Sequence, residues 1–209
     1  MALDLRYDSF TNPTPSATGV LRAAVVLVLS TAVLSALLQL YNAGGVRVMV
    51  GPIGPVPQLA ISFWPVVWMI PAALWFGIWG ALAWSLALLT FGEVSAAALY
   101  FLAPLTAGLV ARWWALDPSL PTMHEYLRYA GVVLIAGLIF ALAFAALEQL
   151  GMVACPPSCF LYEFVGLAAP GLVLAPIVLR LGTPLVERLG AYYPRFFGLG
   201  VGRVKRSSA

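Results

Sequence analysis

One long uncharged stretch limits what this chain can fold into more than any other feature. It runs from Leu59 to Gly92, and as one straight helix at ~1.5 Å per residue it would extend about 51 Å, beyond the ~30 Å hydrocarbon layer of a bilayer. The stretch therefore predicts two helices that fold back on each other. Gly77 and Gly80 allow the tight turn and the close approach of the two arms.

The two arms of this predicted hairpin are rich in proline and tryptophan. Pro65 and Pro71 leave backbone carbonyls of the first arm without donors, so neighbouring helices or a cavity must satisfy them. Tryptophan is typical of membrane interfaces, and we expect most of the hairpin tryptophans to be lipid-facing anchors. These are Trp64, Trp68, Trp75, Trp79 and Trp84.

The composition of the whole chain indicates an integral membrane protein. Hydrophobic residues make up 62% of the 209 residues and charged residues 9%, a balance that a soluble domain of this size does not need. The chain is basic, but its positive residues flank apolar segments instead of forming one patch, which argues against nucleic-acid binding.

The apolar segments predict an all-α integral membrane protein with six transmembrane helices in a compact bundle. Besides the hairpin arms, the predicted helices cover about 23–40, 95–114 with a break near Pro104, 128–150, and a last one from about 161 past Pro170 and Pro176. The domains are then a cytoplasmic segment 1–20, a transmembrane body 21–190 and a basic cytoplasmic tail 191–209.

The basic residues predict the orientation. If the N-terminus is cytoplasmic, Arg47 is the one of the eleven Lys and Arg residues on the outer side, and the other ten lie inside. That distribution follows the positive-inside rule. We therefore expect a multi-pass protein of the cell membrane with both termini in the cytoplasm.

This orientation collects polar residues at the outer ends of the helices. A pocket there, rimmed by acids and walled by tryptophans, would suit a small solute with cationic or hydrogen-bonding groups and an aromatic ring. The alternative is a set of ordinary interfacial residues hydrated by headgroup water. The candidate residues are Asn42, Arg47, Trp64, Trp68, Glu93, Glu148, Gln149 and Glu163.

Few residues indicate other chemistry. Cys155 and Cys159 lie on the predicted outer side, where a disulfide is one interpretation and free thiols or redox or metal chemistry are the others. His124 is expected in a solvated loop, 115–127. Nucleotide-binding and hydrolase motifs are absent from the sequence, so we predict no catalytic residues, no metal and no cofactor.

The hairpin segment resembles a known family. Its turn reads Phe76-Gly77-Ile78-Trp79-Gly80-Ala81-Leu82, after a first helix with small residues and a Gly- and Pro-rich connection, 41–58. This pattern is similar to that of the substrate-binding S-components of energy-coupling factor transporters, in which proline is frequent at the position of Ile78.

The resemblance implies a function and partners. S-components bind a vitamin, a precursor or another micronutrient from outside and dock on a membrane scaffold protein with two ATPases. Ala32 and Ala36 would face the scaffold, and the connection 41–58, with Asn42 and Arg47, would cap the ligand.

Two other classes remain open. One is a non-catalytic accessory subunit of a larger membrane complex, respiratory or photosynthetic, whose tail contacts a partner or anionic lipid. The other is a membrane sensory domain, from which we would expect an output domain larger than the segment 191–209.

Overall fold

A computed structural model describes residues 18, 20–29, 31–32, 49–50, 59–60, 63–89, 94–151, 159–192, 195–196 and 199–200. Seven helices form the body: α1 (Val20–Leu29), α2 (Phe63–Phe76), α3 (Ile78–Leu89), α4 (Val94–Trp113), α5 (Met123–Gln149), α6 (Cys159–Val173) and α7 (Ala175–Arg188). Two antiparallel pairs of two-residue strands accompany them, β1 (Met49–Val50) with β2 (Leu59–Ala60), and β3 (Arg195–Phe196) with β4 (Leu199–Gly200). The predicted all-α class is confirmed for this body.

Helix α2 lies at the centre of the bundle. It packs against α3, α4, α6 and α7, and every residue from Met69 to Gly77 is buried. A helix without a polar face is expected to be buried on all sides. The first arm of the uncharged stretch is therefore the helix around which the others assemble.

The chain folds back at Gly77, as predicted. Gly77 has a φ of 61°, a left-handed conformation that glycine adopts without strain. A Cβ on Gly80 would overlap the carbonyl of Ala72. The two glycines thus have separate roles, one in the turn and one in the contact between α2 and α3.

Two helix boundaries differ from the prediction. Helix α4 continues through Pro104 from Val94 to Trp113, so the expected break is wrong. Helix α5 begins at Met123 instead of 128, because the Thr122 hydroxyl accepts a 3.3 Å hydrogen bond from the backbone N–H of Glu125 and caps the helix. His124 therefore lies on an exposed first helical turn and not in a loop.

The last predicted helix is bent. The chain turns by 48° between α6 and α7, and Pro176 lies in the first turn of α7, where its missing N–H leaves the Leu172 carbonyl without a helical donor. The Tyr126 hydroxyl donates to that carbonyl at 3.0 Å, and the Tyr129 hydroxyl donates to the Gly171 carbonyl at 2.9 Å. Two tyrosines of α5 therefore stabilise the bend.

The hairpin tryptophans do not mainly face outward, contrary to expectation. Trp75 and Trp84 are buried, at 1% and 2% exposure, Trp68 is half-buried, and Trp79 is 58% exposed. The side chain of Trp64 lies outside the described residues. Packing between helices therefore accounts for more of these rings than anchoring does.

Within the described residues, one helix is long and apolar enough to cross a membrane, and there are two if the bent pair α6 and α7 counts as one span. The first is α5, whose exposed side includes Leu134, Leu138 and Leu142. Parts of α1, α2 and α4 form shorter apolar helices.

Candidate functional site

Three polar side-chain atoms of the α2–α3 hairpin are buried without a hydrogen-bond partner. They are the indole N–H groups of Trp68 and Trp84 and the hydroxyl of Ser85. Trp84 is 2% and Ser85 is 7% exposed. A buried polar group left unpaired costs about 1–3 kcal/mol, so each of these atoms calls for an explanation such as a bound ligand or water.

The two tryptophans lie at the same level of the hairpin. Ala72 and Gly80 are in contact across the two helices. Trp68 is four residues before Ala72 and Trp84 is four residues after Gly80, so each lies about one helical turn further from the fold-back point. The two indoles therefore lie at about the same level along the hairpin, about one turn beyond the closest contact of the arms.

The ring of Trp68 is fixed by a neighbour that is itself held. Its centroid lies 5.5 Å from that of Trp75 in an edge-to-face arrangement. Trp75 donates its indole N–H to the Thr183 hydroxyl of α7 at 2.9 Å, and that hydroxyl donates to the Pro118 carbonyl at 3.3 Å. Trp75 therefore has a structural role, because its N–H is paired. The N–H groups of Trp68 and Trp84 have no partner and are available to a ligand.

The hairpin donors lie away from the end of the bundle at which α7 packs, which is called the α7 end below. Trp75 lies at that end, because it contacts α7, and Trp68 precedes it by seven residues, or roughly 10 Å of helix. Under the predicted orientation, the α7 end is cytoplasmic and Trp68 and Trp84 lie in the outer half of the bundle.

The described acids of the predicted rim lie on α5 and α6. Glu148 and Glu163 are half-buried, and Gln149 is exposed. The contacts of Gly137 with Phe164 and of Gly171 with Val133 set an antiparallel register that places Glu163 beside residue 140 of α5. Glu163 and Glu148 are thus separated by roughly 12 Å along the helix axis, and the structure does not bring them together.

Several predicted residues lie outside the part of the chain that the structure describes. Asn42, Arg47 and Glu93 of the predicted rim are among them, as is Ala36 of the docking stripe. Ala32 is described and exposed. Cys155 and the side chain of Cys159 also lie outside, so their predicted pairing stays a prediction.

Sequence reasoning found Trp68 as a candidate binding residue but missed Trp84 and Ser85. Trp84 was interpreted as an interfacial anchor, and a lone serine in an apolar helix usually bonds a backbone carbonyl one turn earlier. The sequence itself shows only a Trp-Ser pair on the second arm, one turn beyond Gly80. Whether these two side chains are buried and unpaired depends on how the helices pack, which the sequence does not show.

The polar groups near the start of α5 form a local network instead of a second site. Asp117 accepts hydrogen bonds from the N–H and the hydroxyl of Ser119, and Glu125 accepts from the Asp117 N–H and from Arg128. These bonds order the α4–α5 connection. Among the described residues, no group of three or more His, Cys, Asp or Glu side chains could hold a metal ion.

The chain matches no protein-family model, no curated protein and no solved structure. A functional assignment therefore rests on the residues themselves.

Proposed function

We propose that this protein is a membrane-embedded binding component for the uptake of a small micronutrient, such as a vitamin or a precursor. The observation that carries the proposal is the presence of three unpaired buried donors in one hairpin, at Trp68, Trp84 and Ser85. A solute with carbonyl, carboxylate or ring-nitrogen acceptors would pair with them, and an aromatic part would pack against the indole rings.

The proposal includes six crossings of the cell membrane with both termini in the cytoplasm. The distribution of basic residues supports this orientation, and α5 is long enough to cross. The hairpin donors then lie toward the outside. The connection 41–58 would cap them, and Arg47, Glu93, Glu148 and Gln149 would form the rim of the entrance.

The resemblance to S-components adds partners to the proposal: a membrane scaffold protein and two ATPase subunits. Helix α1 supports a docking role, because its side chains Leu21, Val28 and Leu29 are at least 60% exposed and Ala32 is exposed beside them. The same exposed face would suit an accessory subunit of a larger membrane complex, which is the second candidate function.

A binding screen distinguishes the two functions. The purified protein is heated in detergent with single vitamins and precursors, and its melting temperature is measured as the concentration rises. A binding component shows saturable stabilisation by one solute, because binding to the native state alone raises stability by mass action. An accessory subunit shows none and copurifies with its complex.

Tryptophan variants locate the site once a solute is found. We expect Trp68→Phe and Trp84→Phe each to weaken affinity about 3- to 10-fold, the effect of one lost hydrogen bond, while most of the ring is kept. Trp79→Phe is the control, because Trp79 lies on the same helix as Trp84 and is 58% exposed. Equal affinities in all three variants would place the solute elsewhere.

A further inference from the structure

Helix α7 has two different faces. Leu179, Thr183 and Val186 are buried against the bundle, at 0–5% exposure. Ile177, Leu181 and Leu185 follow one another at every fourth residue on the opposite side and are 53%, 74% and 57% exposed. The outer face is therefore an apolar stripe along the whole helix.

Positive charge accompanies this stripe. Arg180 and Arg188 are both exposed; helical spacing places Arg188 on the same side as Leu181 and Arg180 about 100° around the helix from it, at the flank of the stripe. Arg22 lies beside the end of the helix, with its Nη1 3.4 Å from the position that a Cβ on Gly190 would occupy. Glu187, which is half-buried, is the acidic residue of α7, so the outer surface of the helix is cationic.

A helix with such a face is well suited to the membrane interface. Its arginines would be costly in hydrocarbon, and its stripe would be costly in water. At the boundary between headgroups and acyl chains, the leucines lie in the apolar layer and the guanidinium groups reach the headgroups. The 48° bend at Leu174 gives α7 a direction of its own relative to α6.

The inner face of α7 is fixed to the bundle, so the helix presents this surface in one position. The Thr183 hydroxyl connects the Trp75 indole to the Pro118 carbonyl. A side chain at Gly182 would overlap the ring of Trp75. The surface is thus preformed, and binding to it requires no folding of α7.

We propose that the outer face of α7 is a binding surface for anionic phospholipids of the cytoplasmic leaflet. Phosphate groups would contact Arg180 and Arg188, and the upper acyl chains would pack on Ile177, Leu181 and Leu185. Charge complementarity selects this occupant, because anionic lipids are concentrated in that leaflet. The inference rests on the membrane placement proposed above and not on the solute.

The test titrates phosphatidylglycerol, and separately phosphatidylcholine, into the full-length protein in neutral detergent and measures lipid binding by native mass spectrometry. We expect preferential binding of phosphatidylglycerol, and up to roughly 30-fold weaker apparent affinity in the double variant Arg180→Gln/Arg188→Gln. Added salt should reduce the preference in the wild-type protein.

Arg128→Gln is the matched control, because Arg128 also lies toward the α7 end of the bundle but forms an ion pair with Glu125 at 3.1 Å. It should keep the preference for phosphatidylglycerol. Equal binding of the two lipids, or an unchanged preference in the double variant, would overturn the proposal. Either result is expected if the surface binds a protein partner instead of lipid. Solute binding in the double variant should be unchanged, which separates this test from that of the proposed uptake function.

Discussion

Two hydroxyl groups in this bundle are both buried but differ in their partners. Thr183 is fully buried and takes part in two hydrogen bonds, one with Trp75 and one with the Pro118 carbonyl. Ser85 is 7% exposed, and its hydroxyl has no hydrogen-bond partner. The first hydroxyl stabilises the folded protein, whereas the second imposes a desolvation cost that a ligand can offset.

Replacing the two hydroxyls should therefore have different effects on stability. We expect Thr183→Val to lower the free energy of unfolding by about 1–3 kcal/mol, because it leaves the Trp75 N–H and the Pro118 carbonyl unpaired. Ser85→Ala should leave stability unchanged or raise it by up to about 1 kcal/mol. Melting temperatures of the ligand-free variants in detergent check this, and a marked loss of stability in Ser85→Ala would show that its hydroxyl is already bonded.

At the scale of elements, the sequence predicted what depends on local geometry and missed what depends on neighbours. The fold-back at Gly77 follows from an uncharged stretch too long for one helix and from the glycines within it. The positions of prolines predict helix bends less well. Pro104 lies in a continuous helix, whereas Pro176 follows a 48° bend whose free carbonyl is satisfied by Tyr126 of another helix. No local pattern distinguishes these two prolines.

The contact between the hairpin arms gives a prediction at this scale. Gly80→Ala should destabilise the protein, because the new Cβ would overlap the Ala72 carbonyl and force α2 and α3 apart. Gly166→Ala is the matched control, since a Cβ there meets nothing within 4 Å, and alanine should gain up to about 1 kcal/mol in a helix. Detergent melting curves compare the two, and equal stability of both variants would contradict the close contact.

At the scale of the whole molecule, the candidate site could be predicted only in part. Aromatic residues and a membrane bundle follow from composition and spacing, and Trp68 was identified on that basis. Trp84 and Ser85 could not be identified, because burial without a partner is a property of packed helices. The expected gathering of acids is not seen for Glu148 and Glu163, since the antiparallel register of α5 and α6 separates them along the axis.

The orientation in the membrane connects the two proposals. If the α7 end is cytoplasmic, the unpaired donors of the hairpin lie toward the outside and the cationic surface of α7 meets the inner leaflet. Both the outward solute site and the lipid surface require that α5 crosses the membrane from inside to outside. Both proposals therefore depend on this crossing.

Cysteine labelling at the two ends of α5 tests this crossing most directly. Met123→Cys and Gln149→Cys, both at exposed positions, are introduced separately into the full chain with Cys155→Ser and Cys159→Ser and treated with a membrane-impermeant maleimide. We predict labelling of Gln149→Cys in intact cells and of Met123→Cys only after the membrane is permeabilised. Labelling of both positions in intact cells, or the reverse pattern, would contradict it.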